Sequence, residues 1–315
     1  MIGLRAPSHP RFRHEVLIHD DDASLVSATR HFVERGLEAG ADVLVHSNRS
    51  QVAALRGELR PDPRLSYGYD EEMYTSPTQT LFKYQRQLAA RKPGARELWV
   101  TGTVPRGATN VAQAAWARYE SAVNEALGPF SFRALCTYDT RTASPSVIAT
   151  ARAAHPHLET GSDRVPCPDY LAPADFLADP LAMVPQSPRQ APILSCHVGG
   201  LDDVPSLRDV VRAAGRSASA IPFDAIEGLI LAVHEVTANG TLHGAPPVRV
   251  HVWAELDKMV VEVLDAGPGG LDPVAGYRFP DALGALGLWV ARQEVDDLII
   301  DTPLGGGCRV LLFKS

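Results

Sequence analysis

Residues 234–244 read HEVTANGTLHG, and residues 263–273 read VLDAGPGGLDP. The first phrase lies in an apolar-periodic run that opens near Phe223, so a helix is expected from Phe223 to about His243. On that helix Glu235, Asn239 and His243 stand at i, i+4 and i+8 and share one face. An amide oxygen is a hard donor suited to Mg²⁺, which keeps part of its water shell. A carboxylate one turn earlier can orient or deprotonate an attacking hydroxyl. E-x-x-x-N also describes solvated helix faces, so the phrase takes its meaning from its neighbours.

The second phrase ends a strand at Asp265 and runs into a glycine turn. An aspartate buried at a strand end can accept a hydrogen bond from an adenine amino group, or it can simply cap the turn. Gly267 and Gly269 would let the backbone approach a ligand closely. A third phrase, GALGLWVARQEVDD (284–297), places Gly287 where a loop meets a helix. Backbone N–H groups at a helix start favour phosphate charge. The fourth, GGGCRVLLF (305–313), is a glycine turn leading into a last strand.

Outward from these phrases, ILSCHV (193–198), VRVHVWA (248–254), MVVEVLD (259–265), DLIID (297–301) and CRVLLF (308–313) read as strands. ELDK between two of them is a hairpin turn. A further helix is expected over 204–218 and another after Gly287. The expected fold of this part is a small α/β sandwich with an antiparallel component.

In order and spacing, the four phrases resemble the N, G1, G2 and final glycine boxes of the GHKL superfamily, and most closely RsbW-type anti-sigma factors with Ser/Thr kinase activity. The resemblance spans residues 193–315. It implies the Bergerat α/β sandwich, with ATP and Mg²⁺ as cofactors. Glu235 would be the catalytic base and Asn239 the Mg²⁺ ligand. Asp265 would read adenine, while His243, Gly267, Gly269, Gly287, Leu288 and Gly307 would complete the nucleotide pocket. Two departures stand out. Ala285 occupies a position where such boxes usually carry glycine, and only about twenty residues separate Asp265 from Gly287, which makes the lid short.

The N-terminal part alternates strands with helices. HEVLIH (14–19), ADVLVHS (41–47), ELWVTGT (97–103) and FRALCTYD (132–139) read as buried strands. Helices follow Asp20–Asp22, Asn48 or Ser50, and Asn110. Repeated β-α units with continuous apolar strands predict a mostly parallel sheet covered by helices. Phrases such as HEVLIHDDD (14–22), FVERGLEAGADVLVHS (32–47), WARYESAVNEAL (116–127), LCTYDT (135–140) and HPHL (155–158) resemble the MEDS family of sensory domains. That implies a sheet related to RecA-like or KaiC-like folds and a regulatory role with an unknown small ligand. No G-x-x-x-x-G-K-[ST] loop is present, so a P-loop ATPase is not supported. Ligands of open parallel sheets sit beyond the strands' carboxyl ends, which points to Asp20, Ser47, Thr101, Tyr138 and Asp139, although capping and packing also account for them. Arg118, Tyr119 and Glu120 read as helix-surface or packing residues. His19 with Asp20–Asp22 is too local a cluster to specify a metal.

Prolines crowd residues 161–192, so the expected division is a sensory domain over 1–185, a Pro-rich linker over 186–192 and an ATP-binding domain over 193–315. The chain has 315 residues, enough for two domains. Residues 193–315 hold 9 basic and 16 acidic side chains, which disfavours direct nucleic-acid binding and suits a basic partner. There is no long apolar run and the start is polar, so a cytoplasmic protein without a membrane span is expected. Four scattered cysteines without C-x-x-C spacing fit a reducing compartment.

The combined expectation is an anti-sigma regulator. It would bind a sigma factor and phosphorylate a Ser or Thr of a STAS-domain anti-anti-sigma factor, with a homodimer implied by the resemblance. Two rivals are a nucleotide-responsive scaffold without turnover and a histidine-kinase-like protein. The second is disfavoured because residues 199–230 contain no histidine to accept phosphate.

Overall fold

The computed structural model describes residues 12–178, 187–278 and 286–315, apart from positions 75, 106, 108, 162, 189, 219 and 304. The chain divides into two compact units, Met1–Met183 and Val184–Ser315.

The first unit runs β1 (Phe12–His19), α1 (Asp22–Glu38), β2 (Asp42–Ser47), α2 (Arg49–Glu58), β3 (Leu65–Tyr69), α3 (Asp70–Met73), α4 (Pro77–Ala89), β4 (Leu98–Thr103), α5 (Asn110–Ala126), β5 (Phe132–Asp139), α6 (Pro145–Ala154), β6 (His157–Glu159), β7 (Arg164–Pro166) and α7 (Pro173–Ala178). Its strands form one seven-stranded sheet in the order β3-β2-β4-β5-β1-β6-β7. Pairing is parallel except between β6 and β7. The central strands are buried on both faces, as a parallel sheet covered by helices requires. Helix starts follow local chemistry: Asp21, Asn48, Ser76, Thr109 and Ser144 each cap a first turn with a side-chain oxygen. Phe32, Val43, Trp99 and Leu135 belong to one core beneath α1. Arg118, Tyr119 and Glu120 of α5 are buried, so they pack inward and do not lie on a helix surface.

The second unit runs β8 (Leu194–Val198), a short 3₁₀ turn, α8 (Val204–Ala218), α9 (Phe223–His243), β9 (Val248–Glu255), β10 (Lys258–Asp265), α10 (Leu286–Glu294), β11 (Asp297–Asp301) and β12 (Cys308–Lys314). Its five strands pair antiparallel in the order β11-β12-β10-β9-β8. One sheet face packs on the helices: Val250, Val261 and Leu312 from the sheet meet Val211, Leu229, Val233 and Ala291. Each such fully buried Val or Leu contributes roughly 1.5–3 kcal/mol of hydrophobic stabilisation. The alternate residues Trp253, Val260, Ile299 and Leu311 form a second cluster on the opposite face. There the Trp253 indole N–H donates to the Gln190 carbonyl at 2.8 Å, and the Ser187 hydroxyl bonds Glu262. Of the linker expected over 186–192, positions 186 and 189 lie outside the described residues, and the parts around Ser187 and Gln190 lie against this second face. Among the described residues, no helix is long and apolar enough to cross a membrane.

Candidate functional site

The site grows out of the second unit's core. Along β10, Met259, Val261 and Val263 alternate toward the helices and are buried there. Asp265 is the next residue in that row, at the strand's end. Along β12, Val310 and Leu312 face the same core, and Cys308, which pairs with Asp265, ends that row. On α9 the buried stripe Leu229, Val233, Val236 and Gly240 covers these strands. Where the rows of core side chains run out, a cavity of about 610 Å³ opens. Its floor is apolar (Val236, Val263, Val310 and Leu288), and Asn239, His243, Asp265, Asp272 and Arg278 supply polar groups. That volume and mixture suit a ligand of nucleotide size.

Asp265 is fixed closely. Its Oδ1 accepts the Gly267 backbone N–H at 2.7 Å. Gly307 has a φ of +86°, and a side chain there would collide with the Asp265 carbonyl, so the final glycine turn is moulded against the strand end. Gly269 lines the cavity, stacked over the Gly307 carbonyl. The Cys308 thiol is pushed up to about 11, by burial first and then by the charges of Asp265 and Asp301. It is therefore a neutral wall group and not a nucleophile.

The helix stripe completes the wall next to it. Gly287, the second residue of α10, sits against both Glu235 and Asn239. A Cβ there would stand 2.9 Å from Glu235 Oε2 and 3.2 Å from Asn239 Nδ2. Asn239 reaches the cavity itself. Glu235 stands one turn back on α9, half-buried beside Gly287 and outside the cavity lining. The geometry thus offers a carboxylate next to an amide, the amide in the cavity lining and carrying an oxygen of the hard-donor class that suits Mg²⁺, and an aspartate in the same lining with one carboxylate oxygen committed to Gly267.

Of the residues expected from sequence, Asn239, His243, Asp265, Gly269 and Leu288 line the cavity together. Glu235 and Gly287 adjoin Asn239, while Gly267 and Gly307 brace Asp265. Gly284 and Ala285 lie outside the described residues. Apart from Leu288, the sequence reading missed the apolar floor, and it missed Arg278 and Asp272 in the lining. The floor was signalled by the two-residue alternation that carries Val263 and Asp265, or Cys308 and Val310, onto one face. Arg278 had no comparable signal, because it lies in a segment without periodicity.

In the first unit, the residues beyond the strand ends are engaged locally. Ser47 bonds Gln51, and Tyr138 meets the His155 ring edge-on. Asp139 accepts three bonds from the Arg141 guanidinium, which holds its carboxyl at about 2. Thr101 is buried and Asp20 exposed.

Residues 13–156 match the family model of MEDS, the MEthanogen/methylotroph, DcmR Sensory domain. Residues 200–314 match that of the histidine kinase-like ATPase domain. No curated protein matches the chain. The chain therefore joins a MEDS domain to a histidine kinase-like ATPase domain, in that order.

Proposed function

We propose that this pairing of a sensory domain with an ATPase domain makes an anti-sigma regulator, in which the second unit binds Mg²⁺-ATP, holds a sigma factor and phosphorylates a Ser or Thr of a STAS-domain antagonist. The two domain matches support the coarser statement, a regulatory ATP-binding signalling protein. The observation that carries the finer reading is the arrangement around one cavity: Asn239 and Asp265 line it together, and Glu235 stands beside Asn239 next to Gly287.

Bound Mg²⁺-ATP would supply the γ-phosphoryl group and neutralise its charge. The Asn239 amide oxygen would hold the metal, and Asp265 would take the adenine amino group on the oxygen that Gly267 leaves available. The apolar floor would bury the purine. Glu235 would accept the proton of the acceptor hydroxyl as its oxygen bonds to phosphorus and the bond to the ADP leaving group breaks. An acidic surface, 16 acidic against 9 basic side chains over residues 193–315, favours a basic face on the bound sigma factor. The first unit would bind a small ligand and bias the second.

The test incubates the full chain with γ-labelled ATP, Mg²⁺ and candidate STAS-domain proteins from the same cell. Label on a Ser or Thr of one of them, with that protein displacing a co-purifying sigma factor when unmodified, is the expected result. Nucleotide binding without any phosphoprotein would replace the kinase with the nucleotide-responsive scaffold.

A further inference from the structure

In the core of the first unit, four side chains from four elements bring one donor atom each to within 4.8 Å of the others: His14 on β1, Glu120 on α5, Cys136 on β5 and His155 just past α6. All are buried, with exposures of 2%, 1%, 8% and 0%. His14 Nε2 lies 3.4 Å from Cys136 Sγ and 3.5 Å from Glu120 Oε2, and His155 Nε2 lies 2.8 Å from the same Oε2.

The hydrogen bonds behind the two rings decide what the rings present. His155 Nδ1 is 2.7 Å from the Ala151 carbonyl, an obligate acceptor, so Nδ1 carries the hydrogen. His14 Nδ1 is 3.1 Å from Asn124 Oδ1. The Asn124 amide nitrogen is committed to the Ala154 and Ser121 carbonyls, so its oxygen faces His14 and Nδ1 is again the donor. In the neutral form the His155 Nε2 lone pair then faces a carboxylate that only accepts, while that of His14 faces the Cys136 thiol, its one donor, with the same carboxylate 3.5 Å away. Among the described residues, His155 Nε2 and both Glu120 oxygens have no hydrogen-bond partner of good geometry. Acceptors facing one another out of water are costly unless a cation lies between them.

We propose that His14, Glu120, Cys136 and His155 bind a divalent transition metal of the zinc class, through the two Nε2 atoms, the carboxylate and the thiolate. Imidazole and thiolate donors select zinc-class ions over Mg²⁺ or Ca²⁺. A tetrahedral zinc with bonds of about 2.0–2.3 Å spaces its donors roughly 3.3–3.8 Å apart. The donors therefore need shifts of about an ångström or less to close on the ion. On binding, the Cys136 S–H bond breaks, its proton leaves to solvent and the sulfur bonds the metal. Asn124 and the Ala151 carbonyl would orient the imidazoles from behind, the usual outer support of metal-bound histidine. Beside the cluster lies a cavity of about 20 Å³, lined by His14, Glu120, Cys136 and the tyrosines Tyr74, Tyr84 and Tyr119. It has room for one water-sized group next to the metal. The site would tie α5 and the end of α6 to the middle of the sheet.

The test uses the purified full chain. After growth with zinc, elemental analysis should find about one zinc per chain, the stoichiometry of a single site. Chelator-stripped protein titrated with Co²⁺ should show the intense visible bands of tetrahedral coordination and a thiolate-to-cobalt charge-transfer band. Cys136→Ser should lose that band, and Asn124→Ala should bind Co²⁺ about 10–100-fold more weakly. Circular dichroism confirms that each variant is folded; if Cys136→Ser is not, His155→Gln takes its place and should lose the tetrahedral bands. A folded chain without zinc that gives only the weak octahedral cobalt spectrum would overturn the proposal. A charge-transfer band that survives Cys136→Ser would overturn it too, by assigning the metal to another cysteine.

Discussion

Gly287 stands so close to Glu235 that a methyl group on it would lie 2.9 Å from Glu235 Oε2. The contact is with the far end of a flexible side chain, so the folded unit can absorb it by turning the carboxylate aside. The same methyl group would lie 3.2 Å from Asn239 Nδ2. Gly287→Ala should therefore leave stability within roughly 1 kcal/mol of the parent, while weakening ATP binding about tenfold or more, a loss of at least 1.4 kcal/mol. Thermal unfolding and calorimetric titration, run on the same preparation, separate the two effects. Unchanged affinity would mean that the amide does not touch the nucleotide.

Glu235 lies outside the cavity lining and one turn behind Asn239. On the proposed function its role would be with the acceptor hydroxyl and not with the nucleotide. Glu235→Gln should bind ATP as the parent does and slow phosphotransfer to the STAS-domain protein by about 10²–10⁴-fold, the contribution of a positioned general base. A fully active variant would remove the base from Glu235.

Asp265 gives one oxygen to the Gly267 N–H at 2.7 Å, and an asparagine oxygen can replace that bond. Asp265→Asn thus keeps the turn but puts a donor where the adenine amino group would donate. A lost charge-assisted hydrogen bond is worth about 1.5–3 kcal/mol. ATP affinity should fall about 10–100-fold with little change for GTP, measured by competition. Equal losses for both nucleotides would place Asp265 away from the base.

His46 of β2 is wedged against backbone. A Cβ on Gly68 would lie 2.5 Å from its ring and one on Gly102 would lie 2.7 Å from its carbonyl. Neither ring nitrogen has a hydrogen-bond partner among the described residues. Burial, and then the charge of Lys83, lowers its pKa from 6.5 to about 4. Between those values the unfolded chain takes up a proton that the folded chain refuses, so stability present above pH 6.5 is lost as pH falls toward 4. The unfolding midpoint should drop by several degrees across that window, at about 2–4 °C per kcal/mol for a unit of this size. His46→Gln cannot titrate and should show a smaller drop in scanning calorimetry. An identical drop in the variant would assign the acid sensitivity elsewhere.

Most of the fold was legible because its signals are local. The apolar runs at 14–19, 97–103 and 132–139 had to be buried strands, and Asp21 and Asn48 mark helix starts by their side-chain chemistry. The Leu65–Tyr69 strand and the Pro77–Ala89 helix escaped because the strand is short and only half-buried and the helix is rich in polar residues. In the second unit Glu235, Asn239 and His243 carried a readable spacing, since one helix sets it. The His14, Glu120, Cys136 and His155 cluster had none: its members come from four separate elements, and only the parallel pairing of β1 with β5 and the packing of α5 and α6 bring them together. Glu120 even read as an ordinary helix residue, because burial is a property of the packed unit and not of its neighbours in sequence.

The central claim is that the cavity between α9 and the end of β10 is a magnesium-nucleotide site, and the most direct test is calorimetric titration of the full chain with ATP, with and without Mg²⁺, for the parent and for Asn239→Ala. The account predicts one saturable, Mg²⁺-dependent binding event in the parent, weakened at least about 100-fold in the variant, a difference of some 2.7 kcal/mol. Equal ATP affinity in both proteins, or none in a folded parent, would contradict it.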